Sequence, residues 1–325
     1  MLKRSIVAAA IAGFALGPAA GFANTNYPDK PINMVIGFAP GGPTDSLGRV
    51  LFKRVSEELG VPIIIENKPG AGGNIAAQAV AGSKADGYTL MFASVAITIA
   101  PALYERPDLD PKKAFSAVGC SSAVPLILLV HKTVPADSAQ AFYKLLQDNP
   151  GKYFAGNSGK GTIDQLAALD MSSKMNLKFE AVPYKGNGPA LTGLVAGDTH
   201  FMFSGAFNSA MPFIKNGDLK ALAVTSDKRS EVLPDVPTLS ESIPALKGFN
   251  AHAWQAVVAP KGTPPAVLEK FNAALNLALK DPEVLKSLKF QGANVMDTTP
   301  EQCQSFITGE SERWAKVIQG LELSK

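Results

Sequence analysis

Short apolar runs alternate along the chain with longer stretches in which hydrophobic residues recur every third or fourth position. That alternation predicts strands interleaved with amphipathic helices. Asn33 to Phe38 (NMVIGF) reads as a buried strand, followed by the loop APGGPTD and a helix carrying Leu47, Val50, Leu51, Val55 and Leu59 on one face and ending at Gly60. Pro62 to Glu66 supplies the next strand. The Gly-rich turn NKPGAGGN leads into an Ala-rich helix from about Ile75, and Asp86-Gly87 turns into a strand over Tyr88 to Ala93. A βαβαβ order of this kind implies a largely parallel sheet covered on both faces by helices. Right-handed crossovers then gather every strand-to-helix loop at one edge of the sheet.

The pattern starts again after the apolar stretch Ala123 to Val130. A helix is expected over Ser138 to Gln147, a strand over Tyr153 to Gly156, the loop NSGKGT, and a helix from Ile163. Strands follow over Phe179 to Tyr184, His200 to Phe203 and Leu219 to Thr225, with helices over Pro189 to Val195 and near Asn208 to Lys215 between them. Two doubly wound units place two sets of loops at sheet edges, which is where ligands bind in such folds. The tail differs: a strand over Trp254 to Ala259 gives way to three helices. Thr263 with Pro264 marks the start of one, and Thr299-Pro300-Glu301-Gln302 is a capping box for another. The last helix sets Ile307, Trp314, Ile318 and Leu321 near one face, so it must dock on other elements. Having no sheet of its own, this tail is expected to return to the first unit. The expected organisation is one domain over 24–123 and 254–325 and a second over 124–253, joined by a two-segment hinge at Ala123 to Val130 and Trp254 to Ala259.

Composition narrows the function. The 325 residues are 46% hydrophobic and carry 31 basic against 28 acidic side chains, which excludes a disordered chain and a nucleic-acid binder. Residues 1–23 open with Lys3 and Arg4, run apolar from Ile6 to Leu16 and end in small residues, the order of an export signal with cleavage near Ala23. The mature chain is therefore expected in the periplasm, nearly neutral in charge. Cys120 and Cys303 stand far apart and read as two buried free thiols, a disulfide staying open in an oxidising compartment. His131, His200 and His252 have no ligand spacing, so neither a metal nor a cofactor is expected. The chain also lacks GxSxG, HExxH, Walker and GxGxxG motifs, which points to binding rather than catalysis.

Two loops are built alike. Ala39-Pro40-Gly41-Gly42-Pro43-Thr44-Asp45 and Gly156-Asn157-Ser158-Gly159-Lys160-Gly161-Thr162 each follow a strand and open a helix, one in each expected domain. Glycine lets backbone approach a ligand, and a helix N-terminus offers unpaired N–H groups with partial positive charge. Facing each other across a cleft, the loops would receive a carboxylate with little need for arginine. Thr44, Asp45, Ser158 and Thr162 are expected to fix the carboxylate, and Phe38, Ser94 and Tyr184 to shape the pocket. Gly159 and Ser204 stand at the same edges. Taken singly, Thr44, Asp45 and Thr162 also fit plain N-caps, and Lys185 a solvated charge.

At these residues the chain resembles a known family. YPDKPINMVIGFAPGGPTDSLGRV, VPIIIENKPGAGGNIAAQAVAGSKADGYTLMFAS, YKGNGPALTGLVAGD, IKNGDLKALAVTSDKRSEVLPDVPTLSE and WQAVVAPKGTP are together similar to the Bug family, the TctC-like substrate-binding proteins of tripartite tricarboxylate transporters. The resemblance implies a two-domain α/β periplasmic binding protein of type II-like form, each domain a mixed sheet flanked by helices. It implies closure on a small carboxylate and delivery to membrane permease subunits by a monomer. It also implies that Phe38 to Asp45 and Asn157 to Thr162 hold the ligand carboxylate. Pro43 stands where the family commonly has a small residue, and Ser204 where it very often has Asp, which points away from an amino-acid ligand. An unaminated mono- or dicarboxylate, aliphatic or aromatic, is expected. A carboxylate sensor that presents its closed form to a membrane kinase is the alternative, with a periplasmic hydrolase behind it.

Overall fold

The computed structural model describes residues 26–321, so the export segment expected at 1–23 lies outside the described residues. The chain runs β1 (Ile32–Ile36), α1 (Pro43–Leu59), β2 (Ile63–Asn67), α2 (Asn74–Ala81), β3 (Thr89–Ser94), α3 (Ala96–Leu103), α4 (Pro111–Ala114) and β4 (Phe115–Pro125). It continues through β5 (Ile127–His131), α5 (Ala139–Asp148), β6 (Phe154–Asn157), α6 (Ile163–Met175), β7 (Glu180–Pro183), α7 (Asn187–Ala196), β8 (Phe201–Ser204), α8 (Phe207–Lys215) and β9 (Leu219–Val224). The remainder is α9 (Leu239–Ser242), β10 (His252–Pro260), α10 (Pro265–Ala278), α11 (Pro282–Phe290), β11 (Asn294–Val295) and α12 (Pro300–Gly320).

Two sheets result. The first has six strands in the order β11-β4-β10-β3-β1-β2, the second five in the order β7-β6-β8-β5-β9. Strands β1, β2 and β3 are mutually parallel, as are β6, β7 and β8, which agrees with the βαβ reading. The strands that connect the sheets are different: β10 runs antiparallel to both β3 and β4, and β5 antiparallel to β8 and β9. The parallel expectation therefore becomes a mixed architecture. A strand that returns from the other sheet enters from the far end and must run against its new neighbours.

Helix α1 shows how the pattern turns into packing. Pro43 occupies its first turn, Gly60 ends it at φ 70° with an N–H bond to the Ser56 carbonyl, and Leu47, Leu51, Phe52 and Val55 are buried. They join Ile36 and Phe92 of the sheet and Phe271 and Leu275 of α10 in one core cluster. The Thr299 capping box forms as expected, with Gln302 as its partner. Helix α10 begins one residue late: Thr263 donates its hydroxyl to the Pro260 carbonyl, and Pro264 is the cap.

The apolar stretch Ala123 to Val130 is two strands, with Leu126 alone between β4 in the first sheet and β5 in the second. The return crossing precedes β10, whereas the pattern had put it at Trp254 to Ala259; those residues lie wholly inside the first sheet. At the crossing the Thr225 amide donates to the Leu126 carbonyl at 2.9 Å, and Thr225 Oγ1 accepts from the Leu126 amide at 2.8 Å. The same hydroxyl donates to the Ala251 carbonyl at 2.5 Å.

The cysteines correct the thiol reading. Cys120 in β4 and Cys303 in α12 form a disulfide, with Cα atoms 5.3 Å apart across a sequence separation of 183. Helix α12 lies along β4 and α3, and that packing, invisible in the spacing, brings the sulfurs together. Helix α12 also reaches toward α6 of the second sheet, with Arg313 3.9 Å from Asp170. Among the described residues no helix is long and apolar enough to cross a membrane.

Candidate functional site

Between the two sheets lies a cavity of about 280 Å³ whose wall is shared by both. From the first side come Phe38, Thr44, Gly72, Ser94 and α3; from the second come Ser158, residues 160–164, Asn187 and Asn208. Leu126, Ala253 and Trp254 supply the floor next to the crossing. Helices α1 and α6 both begin at this cavity and neither has a side-chain cap. Pro43 has no N–H, and the first backbone bond of α1 belongs to Ser46, so the amides of Thr44 and Asp45 have no protein acceptor among the described residues. The amide of Ile163 at the start of α6 stands likewise open among the described residues, because the first backbone bond there belongs to Leu166, while the Asp164 amide is turned to its own carboxylate.

Each loop is held by an aspartate from the first turn of its own helix. Asp45 Oδ2 accepts the Gly41 amide at 2.9 Å, while Arg49 and Asn67 bind the same carboxylate. The Arg49 guanidinium holds the Asp45 carboxyl down to about 2, and the side chain is buried. Asp164 Oδ2 accepts both the amide and the hydroxyl of Ser158, at 2.6 and 2.7 Å. Among the described residues it has no such cation partner, and burial pushes its carboxyl above the usual range. The matched arrangement anchors both loops beside the cavity through carboxylates of the helices that follow them.

The structure sorts the residues singled out from sequence. Phe38, Thr44, Ser94, Ser158 and Thr162 line the cavity. Asp45 does not; its carboxylate is turned to Gly41 and Arg49, so its side chain anchors the loop where direct carboxylate contact had been expected. Ala39 and Gly41 are exposed, and Gly42 is the cap of α1; none of the three lines the cavity. Pro43 contributes backbone at the first turn. Asn157 is buried behind the second loop, its Oδ1 taking the Gly159 amide at 3.0 Å, and neither it nor Gly159 reaches the wall. Tyr184 packs against Gly193, and Ser204 bonds Asn187 and the Ala206 amide, one layer behind the surface. The hydroxyl of Thr162 donates to the Gly159 carbonyl at 2.7 Å and closes the turn.

Sequence reasoning passed over the longest apolar part of the wall. Helix α3 (AITIAPAL) presents Ile99, Ala100 and Leu103, yet it is apolar all round and contains Pro101, so it has neither helical period nor cap signal. Lys160, within the second Gly-rich loop, also lines the cavity. Gln255 and Gln291 on the wall carry no local signal. Among the described residues no cluster of three or more His, Cys, Asp or Glu is placed to hold a metal.

A family model described as the tripartite tricarboxylate transporter family receptor matches residues 47–323. The chain belongs to that family. Within it, Protein BugT of Bordetella pertussis is 35% identical over 309 residues, 93% of this chain and 93% of that one. The solved structure of MatC from Rhodopseudomonas palustris with bound malate is similar at TM-score 0.76 and 32% identity, over 90% of this chain and 100% of that one. An R. palustris protein solved with adipate is similar at TM-score 0.77 and 30% identity, over 91% of this chain and 99% of that one. The family is one of periplasmic solute receptors, and the two mixed sheets flanked by helices are its fold.

Proposed function

We propose that this protein is exported to the periplasm, binds a small organic carboxylate between its two sheets, and delivers it to the permease subunits of a tripartite tricarboxylate-type transporter. The observation that carries the reading is the pair of uncapped helix N-termini, α1 and α6, opening from opposite sides onto one cavity. Three open amides, at Thr44, Asp45 and Ile163, supply donors to a carboxylate where the helix dipoles favour negative charge. Thr44, Ser158 and Thr162 shape the contact, with Phe38 and Ser94 beside it.

The two domains of this reading follow the expected division, 24–123 with 254–325 and 124–253, to within two residues, with the hinge at Leu126 and at Thr225 to Ala251, because β4 ends at Pro125 and β10 begins at His252. A ligand that touches both favours the closed arrangement by differential contact, as population shift requires. The protein acts as a monomer and performs no chemistry on its cargo. Bound acids including malate and adipate in the relatives support the ligand class.

The chain has two tryptophans. Trp254 lines the cavity, and the indoles of both Trp254 and Trp314 donate to Glu310 Oε2 at 3.1 Å, so ligand entry is expected to alter intrinsic fluorescence. Thermal-shift screening of the mature chain against organic acids, followed by fluorescence titration, tests the function. A rise in melting temperature with one or more acids is expected, since a ligand of the native state stabilises it by mass action. A panel of mono-, di- and tricarboxylates without any shift would remove the carboxylate reading.

A further inference from the structure

Besides α1 and α6, helices α3, α7 and α8 also begin at the cavity. None of them has a side-chain cap, and each leaves a first-turn amide without a protein acceptor among the described residues, Ile97 in α3, Gly188 in α7 and Phe207 in α8. A backbone N–H serves a hydroxyl or carboxamide oxygen as well as a carboxylate, and the partial charge of a helix end adds a modest preference for the anion. Such donors orient an oxygen, but they separate an acid only weakly from its uncharged counterpart.

Full charges on the wall are few. Among the described residues that line it, Lys160 carries the one ammonium and Asp164 the one carboxyl. Asp164 is turned into its own loop: Oδ2 takes the Ser158 amide and hydroxyl, and burial favours the uncharged acid. Lys160 has no such tie. Lys132 is paired with Asp218 and Lys220 with Asp137, whereas Lys160 has no carboxylate partner among the described residues. It is also exposed, which sets it at the mouth of the cavity. Its backbone is fixed from both sides, the Gly159 amide donating to Asn157 Oδ1 at 3.0 Å and the Gly161 amide to Gln165 Oε1 at 2.7 Å. An unpaired cation is thus held at the entrance to a cavity rich in open donors.

We infer that Lys160 is the charge-selecting residue of this site: its ammonium draws anionic ligands to the mouth and pairs with a ligand carboxylate, while the helix amides orient the oxygens that arrive. This rests on the carboxylate reading above and deepens it by naming the side chain that makes the ligand's charge count. A charge at the mouth acts mainly on association, because it attracts the ligand through water before contact and is screened by salt.

Stopped-flow tryptophan fluorescence, which Trp254 on the wall makes sensitive to entry, together with calorimetry on the full mature chain, tests it. The probes are succinate, malate, adipate, citrate and benzoate, each at low and at high salt. For whichever of them binds, Lys160→Met is expected to weaken affinity about fivefold, the reach of an exposed ion pair. The loss should lie in slower association, and the salt dependence of the association rate should flatten. Lys160→Arg, which keeps the charge, should stay near wild type, and the ligand-free melting temperature of both variants should be unchanged. Wild-type affinity in Lys160→Met, an unaltered salt dependence, or Lys160→Arg binding as weakly as Lys160→Met overturns the inference while leaving a carboxylate receptor in place. Wild-type protein that binds none of the probes overturns the carboxylate reading itself.

Discussion

Leu126 and Thr225 are bound to each other twice where the chain passes between its sheets: each amide donates to the other residue, one to a carbonyl at 2.9 Å and one to a hydroxyl at 2.8 Å. Because Thr225 Oγ1 also donates to Ala251, one fully buried hydroxyl joins both crossing segments. Thr225→Val keeps the shape and removes the hydroxyl, leaving the Leu126 amide and the Ala251 carbonyl without this partner. The expected loss is roughly 2–4 kcal/mol of stability, because buried polar groups left unsatisfied carry their desolvation penalty. Urea unfolding of the variant measures it, and a midpoint equal to wild type would show that the linkage is dispensable.

Gly161 combines φ +77° with the closest approach of the second loop to α3, where an added Cβ would run into Leu103. Gly161→Ala must distort the loop or push α3 away. Weaker ligand binding is expected, by about tenfold, since placing an L-residue in the left-handed region alone costs roughly 1–2 kcal/mol. Fluorescence titration with the best acid reads the change, and Gly188→Ala is the control, because nothing lies within 4 Å of a Cβ there.

The Cys120–Cys303 bridge fastens α12 to the first sheet over a separation of 183 residues. The double Cys→Ala variant is expected to lose about 2–5 kcal/mol, the usual effect of removing a native disulfide. Differential scanning calorimetry should show a lower melting temperature for it. Unmodified protein should show no free thiol to a thiol reagent after unfolding without reductant.

Asp45 and Asp164 do similar structural work with opposite pH dependence. The carboxyl of Asp45 is held near 2, below its ordinary 3.8, so its contribution is present above about pH 4 and fades as pH falls toward 2. The carboxyl of Asp164 is raised above 3.8 by burial, so its contribution is present at acid pH and is lost as pH rises through the folded value. Asp45→Asn should therefore lower the melting temperature at pH 7, with a gap that narrows toward pH 2. Asp164→Asn, whose amide oxygen can still accept the Ser158 N–H, should raise it relative to wild type at pH 7 and less so at pH 4. Melting curves of both variants across pH decide the signs.

Much of the fold was legible because its signals are local. The apolar face of α1, the Gly60 stop and the Thr299 capping box depend on residues within a few positions of one another. The two loops were legible for the same reason: glycines between a strand and a helix imply open amides whatever surrounds them. Helix α3 escaped because an apolar octet containing Pro101 carries no periodicity, so its helical state follows from burial against α12 and the cavity. The direction of β10 escaped because strand orientation depends on how the chain returns between sheets.

Hydrophobic period, turn residues and the paired Gly-rich loops by themselves thus determined an α/β chain with two sheets, each carrying a Gly-rich loop that opens a helix. Tertiary packing decided which loop groups remain open. Asp45 and Ser158 look alike in sequence as polar residues at helix starts, yet Asp45 anchors its loop from behind while Ser158 lies at the cavity wall tied to Asp164. Pairing of cysteines and the apolar wall opposite the loops were settled at the same level. The physical reason is that a hydrogen bond or a disulfide belongs to whichever partner the fold brings within a few ångströms, and residues 183 apart carry no mark of that proximity.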